Sequence, residues 1–381
     1  MNLHDPVLKG NEKKYLNECI DSGWIASGGK FIELFEKEVK KYTNAKSVCS
    51  IINGTSAIHL ALKVLGVKKD QEVIVPALTF IAPINAVNYL GAEPIFMDCD
   101  QIGNIDTCKV EKFLDNETFF RNGKTFNKKT KKHISCIVLV HVFGNAIFLD
   151  RLIKICKKHK IKVVEDASES LGTFYTQGKF KNKHTGTIGD VGCYSFNANK
   201  IITAGGGGII SSNDSKIIKK AMYLSAQAKD DAFNYDHQEI GYNYRLSNMH
   251  AAIGLAQIER IEEIIDHKKK LHEEYIFNLK NNDNFKILDS PNFSRNNCWL
   301  NVVSFLNKKK EFRDKLIKKF LNKGINVRPI WKLNNTQKPY LKKQTYKVNT
   351  AKKIVSNSIC LPSGFGVSQK DVKKICLFLN E

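Results

Sequence analysis

Apolar positions along the first 250 residues form short continuous runs that alternate with segments of helical spacing. The runs have the length and residue types of buried strands and occupy Ser47–Ile52, Glu72–Pro76, Pro94–Asp98, Ile134–His141, Lys162–Asp166, Gly189–Phe196 and Gly208–Ser211. Helical spacing is clearest in Gly54–Leu65, Ile81–Leu90 and Leu149–His159. This alternation predicts an α/β fold with a mainly parallel seven-stranded sheet, because parallel strands need crossover helices that cover both faces.

The pattern changes after residue 255. A long helix is predicted at Leu255–Leu279, which is rich in Glu and Lys. A smaller α+β unit is predicted beyond about Asn281, with elements at Trp299–Leu306, Lys310–Lys323, Ile325–Ile330 and a closing helix after Ser368. We therefore expect residues 1–255 to form a large domain, and residues 256–381 to form the linking helix and a small C-terminal domain.

Composition excludes several classes of protein. The 381 residues are 42% hydrophobic and 26% charged, which is typical of globular chains and not of disordered ones. The ten cysteines are scattered without CxxC pairs or zinc spacing, so we expect reduced thiols and no metal site. Met1–Glu12 is polar and resembles no secretory signal, and no apolar stretch is long enough for a membrane helix. A cytoplasmic protein is expected.

The chain carries a formal net charge of +22, nearly all of it from lysine. Most lysines are spread along helical segments, and Lys128–Lys132 is the dense run, within a predicted exposed basic insertion at Asn116–His133. A specific nucleic-acid reader would favour arginine interleaved with aromatic residues. We therefore expect solvated lysine faces with non-specific adhesion to polyanions, and a charge balance that suits an anionic small substrate.

Two candidate features follow predicted strands, where ligands gather in a parallel sheet. Asn53–Ser56 lies between a strand and a helix, so it is either a plain helix cap or an anion cradle of backbone amides. Asp166 ends the run Lys162–Asp166, and a carboxylate at a buried strand end is costly unless it is paired. Asp166 is therefore either a helix cap or the partner of a cation such as a protonated ring nitrogen.

Two further features occupy equivalent positions. Lys200 follows an apolar strand, and it is either an ordinary solvated lysine or a desolvated amine that attacks an aldehyde. Phe80 follows Pro76–Thr79, and it either packs in the core or stacks on a flat ring. An anion cradle, a stacking ring, an acid and an amine together predict a pyridoxal phosphate site, in which the acid keeps the pyridine nitrogen protonated.

These features resemble, in type and order, the motifs of the DegT/StrS family of sugar aminotransferases. The resemblance runs over essentially the whole chain and is carried by Ser22–Gly29, Asn53–Ala57, Pro76–Phe80, Val140–Gly144, Glu165–Gly172, Ser195–Lys200 and Gly241–Ser247. It implies a fold-type I transferase that depends on pyridoxal 5'-phosphate. It also implies a homodimer in which the two subunits share their active sites.

The resemblance implies roles for individual residues. Lys200 would bind the cofactor aldehyde, Asp166 would bind the pyridine nitrogen, and both would be catalytic. Phe80 would stack on the ring. The phosphate would be held by Thr55, Ser56 and Ser195, together with Asn243 from the neighbouring subunit. The expected substrate contacts are Trp24, Arg245 and Arg328.

Glu169 departs from the commonest family pattern, since many members carry Gln or His at this position. The resemblance would put it near the 3-oxygen of the cofactor, where a carboxylate needs a shared proton or a nearby cation. Glu169 and the stretch Gly324–Lys332 are similar to the legionaminic acid and bacillosamine branch. That branch implies transfer of an amino group from glutamate to C4 of a nucleotide-linked 4-keto-6-deoxy-N-acetylhexosamine, in the biosynthesis of a bacterial-type surface sugar.

Two alternatives from the sequence remain open. Within the enzyme class, the amino group could go to C3, or to C4 of another sugar of the perosamine or viosamine type. From another class, the chain could be a non-catalytic binding or regulatory protein on the same fold. Lys200 argues against the second alternative, because a binding protein has no need of a reactive lysine. It also argues against the dehydratase relatives, in which histidine replaces this lysine.

Overall fold

A computed structural model describes residues 1–231, 233–306 and 310–380. The helices are α1 (Glu12–Ser22), α2 (Lys30–Thr43), α3 (Gly54–Val64), α4 (Ala82–Tyr89), α5 (Thr107–Asn116), α6 (Asp150–Lys158), α7 (Ser215–Ser225), α8 (Asn248–Ile258), α9 (Ile261–Leu279), α10 (Lys310–Asn322), α11 (Thr350–Ser356) and α12 (Gln369–Asn380). The strands are β1 (Ser47–Ile51), β2 (Glu72–Pro76), β3 (Glu93–Met97), β4 (Thr118–Arg121), β5 (Lys124–Asn127), β6 (Ile134–Val140), β7 (Lys162–Asp166), β8 (Phe174–Tyr175), β9 (Val191–Ser195), β10 (Gly208–Ser212), β11 (Phe285–Ile287), β12 (Ser294–Arg295), β13 (Asn301–Phe305), β14 (Arg328–Pro329), β15 (Thr345–Tyr346) and β16 (Ser358–Leu361).

The large sheet has the strand order β1-β10-β9-β7-β6-β2-β3-β15. Strand β10 runs antiparallel to both of its neighbours, and the other pairs are parallel, which confirms the mainly parallel sheet. All seven residues of β6 are buried, as the continuous apolar run predicts. Seven strands of this sheet lie within residues 47–212, and the eighth, β15, is two residues long and pairs with β3 from far along the chain.

Helices α2 and α8 pack closely on one face of this sheet. Gly254 of α8 makes the contact possible, because a Cβ there would lie 2.8 Å from Cζ of Phe35 in α2. The ring of Phe35 then meets that of Phe196 edge-on at 4.9 Å. Phe196 directly follows β9, so this packing fixes the start of the segment that leads to Lys200.

The second sheet is antiparallel, with the order β11-β13-β16-β14, and it packs with α9 and α12 around Tyr275, Phe320 and Ile359. The long helix predicted at Leu255–Leu279 is wrong as a single element, because the chain turns at Glu259–Arg260 between α8 and α9.

The division at residue 255 stays a prediction, and contacts cross it in both directions. The Met1 amino group donates to the Gly324 carbonyl at 2.7 Å, and Ser363 N–H donates to the Leu3 carbonyl at 2.8 Å. In the other direction, β15 joins the large sheet. The N-terminus and β15 therefore both make contacts across the predicted boundary.

The predicted insertion at residues 116–133 is present between α5 and β6, and it folds as an antiparallel hairpin of β4 and β5 with most of its residues exposed. Asn127 is buried, and its side-chain amide donates to Glu72 Oε2 at 2.9 Å and to Gln344 Oε1 at 2.8 Å. These bonds tie the hairpin to the edge of the large sheet. The lysines of the segment still reach the surface, as Lys128 and Lys129 are exposed.

The ten cysteines are unpaired, and Cys108 is the exposed one. Among the helices of residues 1–231, 233–306 and 310–380, none has the length and apolarity to cross a bilayer. In the same residues, no cluster of three or more His, Cys, Asp or Glu side chains is arranged to hold a metal ion.

Asp98 joins three elements just after β3. Its buried carboxylate accepts hydrogen bonds from the backbone amides of Asn349, Thr350 and Ala351, at 3.0, 2.9 and 2.8 Å, where α11 begins. Lys109 of α5 donates to Oδ2 at 2.5 Å. Burial alone would raise the pKa of Asp98, but Lys109 and the three amides lower it to about 2.

We expect Asp98→Asn to lower the free energy of unfolding by about 2 kcal/mol at pH 7, because the charge that Lys109 and the helix amides stabilise is lost. A depressed pKa contributes stability above the unfolded value near 4, and this contribution is lost as the pH falls through about 2. The difference from the native protein should therefore be constant above about pH 5 and shrink between pH 5 and pH 2 in urea unfolding curves. Exposed Asp115→Asn is the control, and equal effects of the two variants would contradict the assignment.

Candidate active site

A cleft of about 270 Å³ opens at the carboxyl end of the large sheet. Its walls come from the segments that follow β1, β2, β7 and β9, as expected for a parallel sheet. Six of the residues predicted from the sequence line it, namely Thr55, Phe80, Asp166, Glu169, Ser195 and Lys200. The sheet thus brings together side chains that are up to 145 positions apart, from Thr55 to Lys200.

The N-terminus of α3 forms one wall. Asn53 caps the helix, since its Oδ1 accepts a hydrogen bond from Ser56 N–H at 2.8 Å. Gly54 and Thr55 line the cleft, and their amides precede the first intrahelical hydrogen bonds. A Cβ on Gly54 would lie 2.7 Å from Cβ of Ser195, so glycine lets that hydroxyl approach. The helix cap is confirmed, and the anion cradle stays a prediction that the free amides beside Ser195 favour.

Asp166 lies at the end of β7 and is 3% exposed. Burial raises the pKa of its carboxyl group, while bonds from Ser168 and the charge of Lys200 oppose that rise. No described helix begins at this point, and Oδ1 accepts the Ser168 amide at 3.0 Å in a tight turn. The helix-cap alternative is therefore wrong. A cation in the cleft beside this acid would offset the cost of its burial.

A second acid, Glu165, anchors the same strand end from the opposite face. Its carboxylate accepts hydrogen bonds from Gly186 N–H at 3.0 Å, Ile188 N–H at 2.7 Å and His141 Nε2 at 3.0 Å. Ile147 N–H donates to His141 Nδ1 at 3.2 Å, which assigns the ring proton to Nε2. Burial opposes ionisation of Glu165, but these bonds hold its pKa below the ordinary value. The fixed end of β7 keeps Asp166 in place.

Lys200 lies in a turn after β9, where its amide donates to the Asn197 carbonyl at 2.9 Å. Its side chain is 12% exposed, which favours the desolvated amine over the solvated lysine. The Nζ atom lies 3.5 Å from Oε1 of Glu169 and 4.6 Å from the ring centroid of Trp299. The amine is therefore held between a carboxylate and an aromatic face.

Glu169 is buried beside this amine. Burial raises the pKa of its carboxyl group to about 7, while the charge of Lys200 and the Phe143 amide, 2.9 Å from Oε2, partly oppose the rise. The group can therefore exchange a proton near neutral pH. A carboxylate at position 169 needs either a shared proton or a nearby cation. Lys200 supplies the cation.

Phe80 is 51% exposed and lines the cleft. A half-exposed ring at this edge is available to cover a flat ligand, which favours stacking over core packing. The structure also adds two aromatic residues that the sequence did not identify as site residues, Trp299 and Trp331. Trp331 stacks on Phe143 at 5.3 Å between centroids. Its presence in the family-like stretch Gly324–Lys332 was the signal that could have identified it.

Five other residues predicted for the site do not line this cleft in the single subunit, and their roles stay predictions. They are Trp24, Ser56, Asn243, Arg245 and Arg328. For two of the five, the element that carries the residue explains its position. The Ser56 amide is bound by the cap residue Asn53, and Arg328 is exposed in the short edge strand β14.

The other three lie near the surface of the large domain. The Trp24 carbonyl accepts the Asn248 side-chain amide at 2.6 Å, and the indole is exposed. Asn243 is exposed, and the backbone amides of its two neighbours, Tyr242 and Tyr244, are hydrogen-bonded to other segments. Arg245 Nη1 lies 3.9 Å from Cys49 Sγ. These three residues can take part in catalysis only if they face the cleft of a second subunit.

Comparison with known proteins identifies the class of this fold and site. A model of the DegT/DnrJ/EryC1/StrS aminotransferase family matches residues 6–380, and the chain belongs to that family. It is 34% identical over 379 residues to GDP-perosamine synthase of Escherichia coli O157:H7, which covers 100% of this chain and 97% of that protein.

Two other relatives complete the comparison. UDP-4-amino-4,6-dideoxy-N-acetyl-beta-L-altrosamine transaminase of Campylobacter jejuni (strain 81-176) is 29% identical over 310 residues, which are 81% of this chain and 77% of that protein. The solved PLP form of the sugar aminotransferase Spr1654 from Streptococcus pneumoniae has a TM-score of 0.88 at 22% identity, covering 99% of this chain and 97% of that one.

The chain is therefore a sugar aminotransferase that depends on pyridoxal 5'-phosphate, and its fold is that of the fold-type I transferases. The alternative of a non-catalytic binding protein is set aside. The cleft fits this cofactor in three respects: a buried acid whose pKa is raised by burial, a helix N-terminus where a Cβ on Gly54 would collide with Ser195, and a sequestered amine.

We expect the pH dependence of stability to change in Glu169→Gln. A raised pKa means that the folded state holds a proton that the unfolded state has lost, so this stability is present below pH 4.5 and is lost as the pH rises through about 7. Glutamine has no such titration. The melting temperature of cofactor-free Glu169→Gln should therefore rise relative to the native protein between pH 5 and pH 8. Exposed Glu273→Gln is the control, and a pH-independent difference would refute the prediction.

Proposed function

We propose that this enzyme transfers an amino group from glutamate to C4 of a nucleotide-linked 4-keto-6-deoxyhexose. The observation that carries the proposal is the cleft in which Lys200 Nζ lies 3.5 Å from Glu169 Oε1, on a wall shared with the buried acid Asp166. An amine, a proton acceptor near neutrality and a ring-nitrogen partner are the groups that transamination requires. The net reaction converts the ketone to an amine and glutamate to 2-oxoglutarate.

When it is bound, the cofactor supplies an electron sink and carries the amino group between the two substrates. We assign to Asp166 the role of keeping a proton on the pyridine nitrogen, which its buried carboxylate can do at close range. Phe80 covers one face of the ring and limits its motion. Thr55 and Ser195 bind the phosphate with the first amides of α3, and Ser56 supports them through the cap at Asn53.

Lys200 and Glu169 move protons in this scheme. Lys200 Nζ accepts the proton that leaves the carbon of the amino donor. It then returns a proton to the carbon that receives the amino group. Glu169 takes up or releases a proton beside Nζ, because its pKa of about 7 lets both forms exist at neutral pH. The low exposure of Lys200 excludes water from the exchange.

The sugar has two candidates. The likeness of Glu169 and Gly324–Lys332 to the legionaminic acid and bacillosamine branch supports a 4-keto-6-deoxy-N-acetylhexosamine, and Trp331 from this stretch lines the cleft. The identity of 34% with a GDP-perosamine synthase over the whole chain supports a perosamine-type sugar instead. Both are aminated at C4. The net charge of +22 suits the diphosphate that either substrate would carry.

We expect a panel of UDP-, GDP- and dTDP-linked 4-keto-6-deoxy sugars, with and without a 2-acetamido group, to identify the substrate. With glutamate as donor, the accepted sugar should give a 4-amino product by mass and NMR, with one equivalent of 2-oxoglutarate. Lys200→Ala should abolish turnover, and Lys154→Ala, an exposed lysine of α6, should not. Amination at C3 would overturn the regiochemistry, and a fully active Lys200→Ala would overturn the mechanism.

We also propose a homodimer with shared active sites in the cytoplasm, where thiols stay reduced. Asn243 supports the shared sites, because it is exposed and outside the cleft of its own subunit. In the proposed dimer it reaches the phosphate in the partner's cleft, and Trp24, Arg245 and Arg328 contribute to sugar-nucleotide binding. The lysine-rich faces are solvated, with no specific nucleic-acid or membrane partner proposed.

Mixing Lys200→Ala subunits with Asn243→Ala subunits tests this arrangement. If Asn243 serves the partner's site, each mixed dimer has one intact site, and an equal mixture should recover about a quarter of native activity. If both residues serve the same subunit's site, no mixed dimer has an intact site. Activity no higher than the mean of the two separate variants would therefore contradict the shared site.

A further inference from the structure

The segment between β12 and β13 fastens both halves of the reactive pair. Asn297 Nδ2 donates to the carbonyls of Glu169 and Leu171, at 2.8 and 2.9 Å. Two residues later, the indole Nε1–H of Trp299 donates to the Asn199 carbonyl at 2.7 Å, directly before Lys200. One short segment therefore sets the position of Glu169 and of Lys200 relative to each other.

Trp299 also contacts the reactive amine itself. Its ring is 2% exposed, and its centroid lies 4.6 Å from Lys200 Nζ. An ammonium group over an indole face is attracted by the ring quadrupole, and the attraction is strongest where water is excluded. Glu169 Oε1 provides a second contact at 3.5 Å. The charged form of Lys200 thus has two partners in a cleft that offers it little water.

The buried side chain of Lys268 contacts the backbone of Trp299. Lys268 of α9 is 1% exposed, and its Nζ donates to the carbonyls of Trp299 and Ser363, at 3.2 and 2.6 Å. Burial lowers the pKa of Lys268 to about 7. Ser363 Oγ in turn accepts the backbone amide of Asn301, at 2.9 Å. The backbone of Trp299 is therefore fixed from two sides, which leaves the ring little freedom to move away from Lys200.

We propose that Trp299 is a positioning residue for Lys200: its indole N–H anchors the turn that carries the lysine, and its ring face receives the ε-ammonium group whenever Lys200 is not bonded to the cofactor. This rests on the proposed role of Lys200 as the amine that alternates between bonded and free states. A free ammonium group in a dry cleft needs a fixed resting place from which it can return. The ring provides one that does not compete for the proton, because an aromatic face accepts none.

The test compares Trp299→Phe, which keeps an aromatic face, with Trp299→Met, which keeps bulk but has no ring. The readout is acetylation of Lys200 by acetic anhydride at pH 7, measured by mass spectrometry against exposed Lys154 in the same chain. The full chain is used both without cofactor and after saturation with pyridoxamine 5'-phosphate. Only the neutral amine reacts, so loss of the ring should speed labelling of Lys200 about three- to tenfold in Trp299→Met. Trp299→Phe keeps the ring face but loses the N–H bond to Asn199, so its rate should lie between those of the native chain and Trp299→Met.

Trp331→Met is the matched control, because Trp331 lines the same cleft but stacks on Phe143. Its labelling of Lys200 should equal that of the native chain. Equal labelling in Trp299→Met and Trp299→Phe, whether fast or slow, would overturn the proposal, since the ring would then make no difference. A second readout is kinetic: Trp299→Met should lower kcat and leave KM for the sugar unchanged, and a change confined to KM would also overturn it.

This outcome is separable from that of the proposed function. Labelling of Lys200 needs neither a sugar substrate nor turnover, so the effect of the ring is measurable even if no sugar in the panel is accepted. Conversely, normal amination of a 4-keto sugar together with equal labelling in the two Trp299 variants would leave the function standing and remove the role of Trp299.

Discussion

The cost of burying charge at the carboxyl end of the large sheet is the constraint on which the site depends. Three carboxyl groups, those of Glu165, Asp166 and Glu169, lie within five residues and are all nearly removed from solvent. Their surroundings shift their pKa values in different directions. Backbone amides and His141 hold Glu165 ionised, whereas burial raises the pKa of the other two. Only the two without a full set of hydrogen bonds face the cleft, and they are the ones assigned to chemistry.

The elements that sequence predicts best are those in which local pattern and tertiary environment agree. Strand β6 is buried on both faces and is a continuous apolar run in the sequence, so its start was predicted and its end was missed by one residue. The residues after β7 and β9 could be identified because parallel topology places strand ends together. Lys200 and Asp166 were therefore predictable as a pair, although 34 residues separate them.

What sequence could not predict comes from contacts between distant segments. Trp299 carries no local signal of its role, since its partners Asn199 and Lys268 are 100 and 31 residues away. Strand β15 has only two residues and exists because the edge of β3 offers unpaired backbone groups. The helix break at Glu259–Arg260 likewise has neither proline nor glycine to mark it. Asn243 and Arg245 were identified by resemblance, and their distance from the cleft is a property of one subunit.

The contacts that the N-terminus and β15 make across the predicted boundary have a mechanical consequence. A hinge motion between the two sheets would have to break the pairing of Thr345 with Phe96 and the bonds from the first amides of α11 to the Asp98 carboxylate. It would also have to break the hydrogen bonds of Met1 and Leu3 to residues beyond 320. Rigid-body closure is therefore expensive in this fold. Any closure over the substrate is then confined to side chains and short loops at the rim of the cleft, where the ring of Phe80 is half-exposed.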